Sequence, residues 1–396
     1  MNDLLISKAR KFYHLIKRIQ LKAKLTDIIF SVFLISAIIQ LLFYVAVFAP
    51  FAFSKLDVTS VATSVKVSVI IAARNEFENL KKLLPKLKEQ EYIDFEVIIV
   101  NDRSTDESLE LLKSWEQDQY WLSVIHLTKI PSGLNPKKYA IIRAVEKAKG
   151  EILLFTDADC LPCSSKWINS IVANYTGKTD IVLAYSSYIA ENSVLNFFIR
   201  WETFYTAVQY FSLAHVGLPY MGVGRNLSYR KNLFIDNKGF ENIARITGGD
   251  DDLFVSGLAN AENTSYVCSY ESQTISVPEK NWKDWFRQKR RHLSVGVHYP
   301  LKIVVILGTL TMSQIFFYLT LLLLVIIWHK IVIVAAVYLF RMLTVWLVLK
   351  KIDQKLNNKN HHWLLTGFAP IFELFYVAYY IVTGLATLTN RNIKWK

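Results

Sequence analysis

Two aspartates, Asp157 and Asp159, stand one residue apart directly after the apolar run Ile152–Phe155. Carboxylates at that spacing repel each other, and near a core they must be paired or must hold a cation. Mg²⁺ and Mn²⁺ prefer oxygen ligands, often one or two carboxylates together with phosphate oxygens. The pair therefore reads as a divalent-metal site bridging to a diphosphate. Asp159 would be a direct ligand; Asp157 would be a second ligand or a contact to a nucleotide ribose. The next residues allow other chemistry. Cys160-Leu-Pro-Cys163 is a C-x-x-C, as in thiol–disulfide oxidoreductases. Cys268 is the third cysteine, and no second close pair completes a zinc site.

The elements that must position these carboxylates lie upstream. An apolar, β-rich run from Val65 to Ile71 ends at Arg74-Asn75-Glu76. Residues 79–90 read as a helix with Leu80, Leu83, Leu84 and Leu87 on one face. A strand over Phe95–Val100 ends at Asn101-Asp102, and a helix follows from about Glu107 to Trp115. A strand over Leu122–Leu127, a helix over Tyr139–Ala148 and a strand over Glu151–Thr156 complete the series. Strands alternating with helices imply parallel βαβ units, whose ligands bind outside the carboxyl ends of the strands. Acidic turns sit at three such ends, more than folding needs alone explain. No internal repeat or low-complexity linker is present.

Hydrophobic residues make up 52% of the 396, and mean hydropathy is positive at +0.24. Uncharged blocks run over 28–53 and 303–328; a third, 331–349, is interrupted only by Arg341. A fourth, 363–388, contains Pro370 and Glu373, which mark a kinked, re-entrant or interfacial helix. Each approaches the ~20 residues a helix needs to cross a bilayer, so three or four membrane helices are expected. Net charge is +13, and seven Lys/Arg residues precede Thr26: Lys8, Arg10, Lys11, Lys17, Arg18, Lys22 and Lys24. Leu5, Ala9, Phe12, Ile16 and Ile19 recur between them at helical spacing, giving a basic amphipathic helix suited to anionic headgroups. This charge flanks membrane segments, so nucleic acid is not the expected partner. The basic stretch is too long for a cleavable signal peptide.

VSVIIAARNE, VNDRSTDES, the K-x-x-A of Lys137–Ala140 and GEILLFTDAD together resemble the nucleotide-binding half of family 2 glycosyltransferases, which have the GT-A fold. GGDDDLF (248–254) resembles that family's acidic base motif, and Gln288, Arg291 and His292 its Q-x-x-R-W motif. The resemblance covers most of 65–300. It extends to ceramide glucosyltransferase-like and polyprenyl-phosphate enzymes and to cellulose-synthase-like enzymes. It implies an α/β fold with a Rossmann-like, mostly parallel sheet. The reaction implied is inverting, metal-dependent transfer from a nucleotide-diphosphate sugar, with a UDP-sugar favoured, using Mn²⁺ or Mg²⁺. By resemblance, Asp102 contacts the base, Glu76 lies near the nucleoside, and Lys137 meets the diphosphate. Asp157 and Asp159 are the nucleotide-sugar and metal aspartates, Gln288 adjoins the donor, and Arg291 neutralises the departing diphosphate.

Each has a plainer reading. Asp102 or Asp106 could cap a helix, and Lys137, Lys138 and Arg290 could be solvated surface charges. The reaction needs a base for the acceptor hydroxyl. Asp250, Asp251 and Asp252 supply candidates, since three adjacent carboxylates in a cleft cannot all ionise equally. Alignment with the family motif favours Asp250. Gly249 stands where Glu is common, which keeps Asp251 open, and all three could instead cap the helix starting near Leu253.

Residues 196–211 are crowded with aromatics, among them Trp201, and read as an interface helix presenting a lipid acceptor; such spacing equally suits a core helix. GVGRN (222–226) lies where the family shapes its acceptor pocket, making Arg225 and Asn226 candidate contacts. His292 in place of the motif's Trp favours addition of one sugar to a lipid or lipid-linked acceptor over processive polymerisation, though an interfacial histidine would look the same. A thiol–disulfide enzyme using Cys160 and Cys163, or a catalytically dead scaffold, are the rival classes. The expected layout is a membrane segment over 1–53, a catalytic domain over 54–300 and a membrane region over 301–396. With the catalytic domain facing the cytosol at a cytoplasmic membrane, Lys350, Lys351, Lys355 and Lys359 obey the positive-inside rule. The N-terminal basic segment does not, if 28–53 spans once.

Overall fold

The structure is a computed structural model that describes residues 2–55, 65–356, 367 and 369–389. Lys359 and Trp363 lie outside them, as do the side chains of Leu5, Lys8, Ala9, Arg10, Lys11, Phe12, Ile16, Arg18 and Ile19.

The chain opens with α1 (Asn2–Phe43), a π-helical turn at Tyr44–Phe48 and α2 (Ala49–Phe53). Alternation follows: β1 (Val67–Ala73), α3 (Phe77–Lys88), β2 (Phe95–Asp102), α4 (Ser108–Asp118), β3 (Leu122–Leu127), α5 (Pro136–Lys147) and β4 (Ile152–Phe155). The register of β1 with β2 and β4, and of β2 with β3, is parallel, as the βαβ pattern requires. Strands covered on both faces should read as continuous apolar runs; β4 is buried throughout and β1 nearly so.

The remaining elements are β5 (Cys160–Pro162), α6 (Trp167–Val172), β6 (Ile181–Ala184), β7 (Ser186–Tyr188), α7 (Val194–His215), β8 (Leu227–Arg230), α8 (Lys231–Asp236), α9 (Asp252–Leu258), β9 (Thr264–Val267), β10 (Thr274–Ser276) and α10 (Trp282–Val295). The main sheet runs β3-β2-β1-β4-β8-β6-β9, with β8 antiparallel to both neighbours. A second sheet, β5-β10-β7, carries the chain beyond the Asp-x-Asp turn. Last come α11 (Leu301–Ile326), α12 (Ile331–Leu356) and α13 (Ala369–Thr389).

Two compact units result, each assembled from separate stretches of chain. One comprises Met1–Ala46 and Val305–Leu347. Its core stacks Phe33 on Phe317 at 5.0 Å, with Ala37, Leu324 and Val334 around them. Arg341 is fully buried there and donates to Gln40 Oε1, which explains a charge in an otherwise apolar block. Asp27 pairs with Lys330 at 2.9 Å.

The other unit comprises Val47–Val304 and Val348–Lys396 and holds both sheets. This unit runs to Val304 and takes in the chain again from Val348: α13 packs on α10 and α7 through Tyr379 with Trp285 and Phe198, and Phe372 with Trp201. Lys355 Nζ donates to the Phe51 and Ser54 carbonyls, tying the end of α12 to α2.

Among the described residues, three helical stretches are long and apolar enough to cross a membrane: Gln20–Phe53, Leu301–Ile326 and Ile331–Leu356. The fourth apolar block forms only a shorter apolar stretch, Ile371–Gly384, which contacts α7 and α10. The basic N-terminal segment is not a separate helix; α1 runs uninterrupted from it into the first apolar stretch.

Candidate active site

The strand ends converge as the parallel topology dictates. β1 delivers Glu76 through a turn in which Asn75 takes a left-handed conformation (φ 56°) and uses Oδ1 to accept from Thr105 N. β2 ends on Asp102, buried and gripped by both Arg103 Nε (2.7 Å) and Nη2 (3.1 Å). β4 leads into Asp157, and Asp159 immediately precedes β5. Asn135 caps α5 by accepting from the Lys137 and Lys138 amides, with Pro136 opening the helix. This places both lysines in the first turn, where the helix already favours anions.

Gly248 and Gly249 are left-handed (φ 86° and 79°) and turn the chain into Asp250. A side chain at Gly249 would be strained by its left-handed backbone and would crowd Leu253, its Cβ 2.7 Å from Cδ1. Asp251 caps α9 by accepting from Asp252 N, and its other oxygen accepts from Gly224 N at 2.6 Å. That approach needs a glycine: a Cβ at 224 would sit 3.0 Å from the same oxygen. Asp252 accepts from Tyr299 Oη and Leu253 N. The helix-cap reading is thus correct for Asp251, with Asp252 the first residue of α9, but not for Asp250, whose carboxylate pairs with Lys137 Nζ at 3.1 Å.

One cavity of about 370 Å³ is lined by Glu76, Asp102, Lys137, Asp157, Asp159, Arg225, Asp250, Asp251, Gln288, Arg291 and His292. Every residue carried as a transferase-site candidate from sequence is there except Trp201 and Asn226. Trp201 is fully buried, stacked on Tyr205 and Phe372, and no part of it lines the cavity. The aromatic spacing of α7 marks a core helix, with most of its residues buried. Asn226 is also fully buried. It donates to the Tyr185 and Ser272 carbonyls and accepts from Trp167 Nε1, so its polar atoms are spent on the fold. Arg225 does reach the cavity, its guanidinium 4.2 Å above the Tyr188 ring.

Charge organises the cavity. Lys137 Nζ lies 3.1 Å from both Asp157 and Asp250, joining the sheet edge to the acidic triplet. Burial pushes the Asp157 carboxyl up, but Lys137, helped by Arg225 and Arg291, outweighs it and the net shift is downward. Asp159 moves the other way: burial and the Asp157 charge both raise it. Glu76 is raised by burial and, further, by those two aspartates. Burial and the neighbouring cations Lys289 and Arg291 hold His292 well below the usual imidazole range, so it is neutral at physiological pH.

The donor set fits a hard divalent cation. Asp159 is a carboxyl strained by a like charge, which a cation would relieve. Among the described residues no three His, Cys, Asp or Glu side chains converge on one point, so remaining ligands would come from phosphate and water.

The thiol reading fares poorly. The Cys160 thiol is fully buried, donates to Asp159 Oδ1 and is pushed well above its ordinary range by burial. Burial pushes Cys163 up to about 11. Neither supplies a thiolate at neutral pH.

The sequence reading missed the parts played by five residues. Lys138 is not a solvated charge; it is buried and donates to the Ile243 and Ile246 carbonyls. Lys289 and Glu202 form a buried ion pair between α10 and α7. Tyr188 and Tyr299 meet the site through β7 and the chain after α10. Only the doubled lysine beside the K-x-x-A position was a usable signal.

The profile described as glycosyl transferase family 2 matches residues 68–234, and that described as glycosyl transferase family group 2 matches 153–349, together spanning the sheet, the acidic triplet and α10. The chain is a family 2 glycosyltransferase. This glycosyltransferase is 31% identical over 137 residues to a dolichol-phosphate mannosyltransferase of Pyrococcus furiosus, a match spanning 33% of this chain and 36% of that protein. It is 26% identical over 217 residues to glycosyltransferase AglE of Haloferax volcanii, covering 53% of this chain and 65% of the relative. In fold it resembles the mannosyltransferase PcManGT of Pyrobaculum calidifontis, solved with GDP-Man and Mn²⁺, at TM-score 0.58 over 85% of this chain and 99% of that one. The identity there is 17%, so the likeness is one of fold. The fold is GT-A.

Proposed function

We propose that this glycosyltransferase moves a sugar from a nucleotide-diphosphate sugar to a lipid or lipid-linked acceptor, with inversion and with help from a divalent cation. The observation that carries the reading is the single cavity holding Asp157, Asp159, Lys137, Asp250 and Arg291. Asp102 and Glu76 face the nucleoside; Lys137, at the N-terminus of α5, and Arg291 receive the diphosphate. Asp157 and Asp159 would hold Mn²⁺ or Mg²⁺, whose charge would help neutralise the leaving diphosphate; the Mn²⁺ and GDP-Man bound by the Pyrobaculum protein support this choice.

Asp250 is the base. Asp251 and Asp252 are committed to backbone amides and Tyr299, whereas the partner of Asp250 is a lysine that a diphosphate would also attract. With Lys137 drawn to phosphate, the Asp250 carboxylate takes the proton of the acceptor hydroxyl as its oxygen attacks the anomeric carbon. The carbon–oxygen bond to the diphosphate breaks on the opposite side, and Arg291 meets the negative charge that leaves. Neutral His292 and Tyr188 border the acceptor side. The dolichol-phosphate enzyme among the relatives and three membrane-length helices support a lipid-borne acceptor and a catalytic unit at the cytosolic face of a cell-envelope membrane.

The test uses purified protein in detergent with UDP- and GDP-sugars, Mn²⁺ or Mg²⁺, and membrane lipid extract. Release of nucleoside diphosphate with sugar appearing in the lipid fraction is expected. Intact protein that neither binds nor turns over any donor would refute the proposal.

A further inference from the structure

We infer that Lys138 is a positioning residue that fixes the segment presenting the catalytic base. Residues 241–248 approach Asp250 as a string of turns beginning with the short 3₁₀ helix Glu241–Ile243. None of these eight residues is buried. Phe240, before them, is anchored in an aromatic cluster with Phe234 and Phe254, and Gly249, after them, is buried. The hydrogen bonds described within the stretch are local, such as Ile243 N to Phe240 O and Ile246 N to Ile243 O. A segment with so little buried surface is expected to open readily.

The tether to the rest of the fold comes from α5. Lys138 is 2% exposed, and its ammonium donates to the carbonyls of Ile243 and Ile246, the latter at 2.8 Å. The Ile243 carbonyl ends the 3₁₀ turn, where a cation is favoured, and the Ile246 carbonyl lies in the bend that follows. Burying an ammonium is costly unless its protons are placed, so this contact defines a narrow position for the segment. Lys137, one residue earlier, also reaches Asp250, but a bound diphosphate competes for it. Lys138 faces carbonyls that no substrate group competes for. It therefore keeps the segment in place at the stage when Lys137 is engaged elsewhere. Catalysis is sensitive to displacements of about 1 Å, so the tether sets the turnover rate while leaving donor affinity to other residues.

The inference rests on Asp250 as the base, and the experiment separates the two. Full-length protein in detergent is compared as wild type, Lys138→Met, Lys138→Arg and Asp250→Asn. Two readouts are taken: hydrogen exchange over 241–250 without ligand, and hydrolysis of GDP-mannose or UDP-N-acetylglucosamine with Mn²⁺. For Lys138→Met we expect faster exchange confined to 241–250 and turnover lowered about 10- to 100-fold, with donor KM within about twofold. Lys138→Arg, which can still donate to both carbonyls, recovers much of the protection and rate. Unchanged exchange in Lys138→Met overturns the tether. So does full turnover in Lys138→Met when Asp250→Asn is inactive, and so does global loss of the melting transition in both Lys138 variants. An active Asp250→Asn instead refutes the base assignment, while the exchange readout still reports on the tether.

Discussion

Asp250 differs from its two neighbours in what already holds it. Its neighbours hold backbone amides or a phenol, while Asp250 faces the Lys137 ammonium, which it shares with Asp157. Asp250→Asn should therefore keep the fold and donor affinity and lose about 10²- to 10⁴-fold in turnover, measured as nucleoside diphosphate release. Asp251→Asn should act differently, loosening the Gly224 contact and the α9 cap, and should lower the melting temperature. The cysteines give a second residue-scale test. Because burial raises Cys163 to about 11, its alkylation by iodoacetamide should accelerate toward pH 11 rather than level off near pH 9, and Cys160→Ser/Cys163→Ser should retain transferase turnover. Residue chemistry was legible where spacing implied geometry: Asp157 and Asp159 follow a strand, and a strand end has one place to go. It was not legible for Trp201 and Asn226. Aromatic spacing is the same for a buried and a ligand-facing helix, and an asparagine's partners lie 41 and 46 residues away in the chain.

At the level of elements, α10 brings Gln288, Arg291 and His292 to the cavity, and its rotation is fixed from behind. Lys289, between them, pairs with Glu202 on α7, both side chains 9% exposed. Trp285 packs on Phe198 and Tyr379. Removing one charge leaves the other buried and uncompensated, so Glu202→Ala should destabilise the catalytic unit by about 3–5 kcal/mol. Replacing both, as Glu202→Leu/Lys289→Met, should recover most of that loss in thermal unfolding. The four leading strands were readable because apolar runs alternated with amphipathic helices. The strands after residue 156 are three or four residues long. Such runs carry almost no period, and their pairing is set by contacts distant in sequence.

For the molecule as a whole, the membrane-length helices and the sheet were both anticipated, but the way the chain is shared between units was not. Composition reports which segments are apolar, not which apolar face meets protein rather than lipid. The cation is expected to serve the donor and not the fold. EDTA should abolish the stabilisation that a sugar nucleotide confers, yet leave the melting temperature of the unliganded protein unchanged. The last helix has a further consequence. Because α13 completes the packing over Trp285, Phe198 and Trp201, the catalytic unit is unfinished when translation has passed its last sheet residue. The nascent chain must first emit two apolar hairpin arms and then return. A fragment ending at residue 300 would lack α13 and should carry an open aromatic seam at Phe198, Trp201 and Trp285.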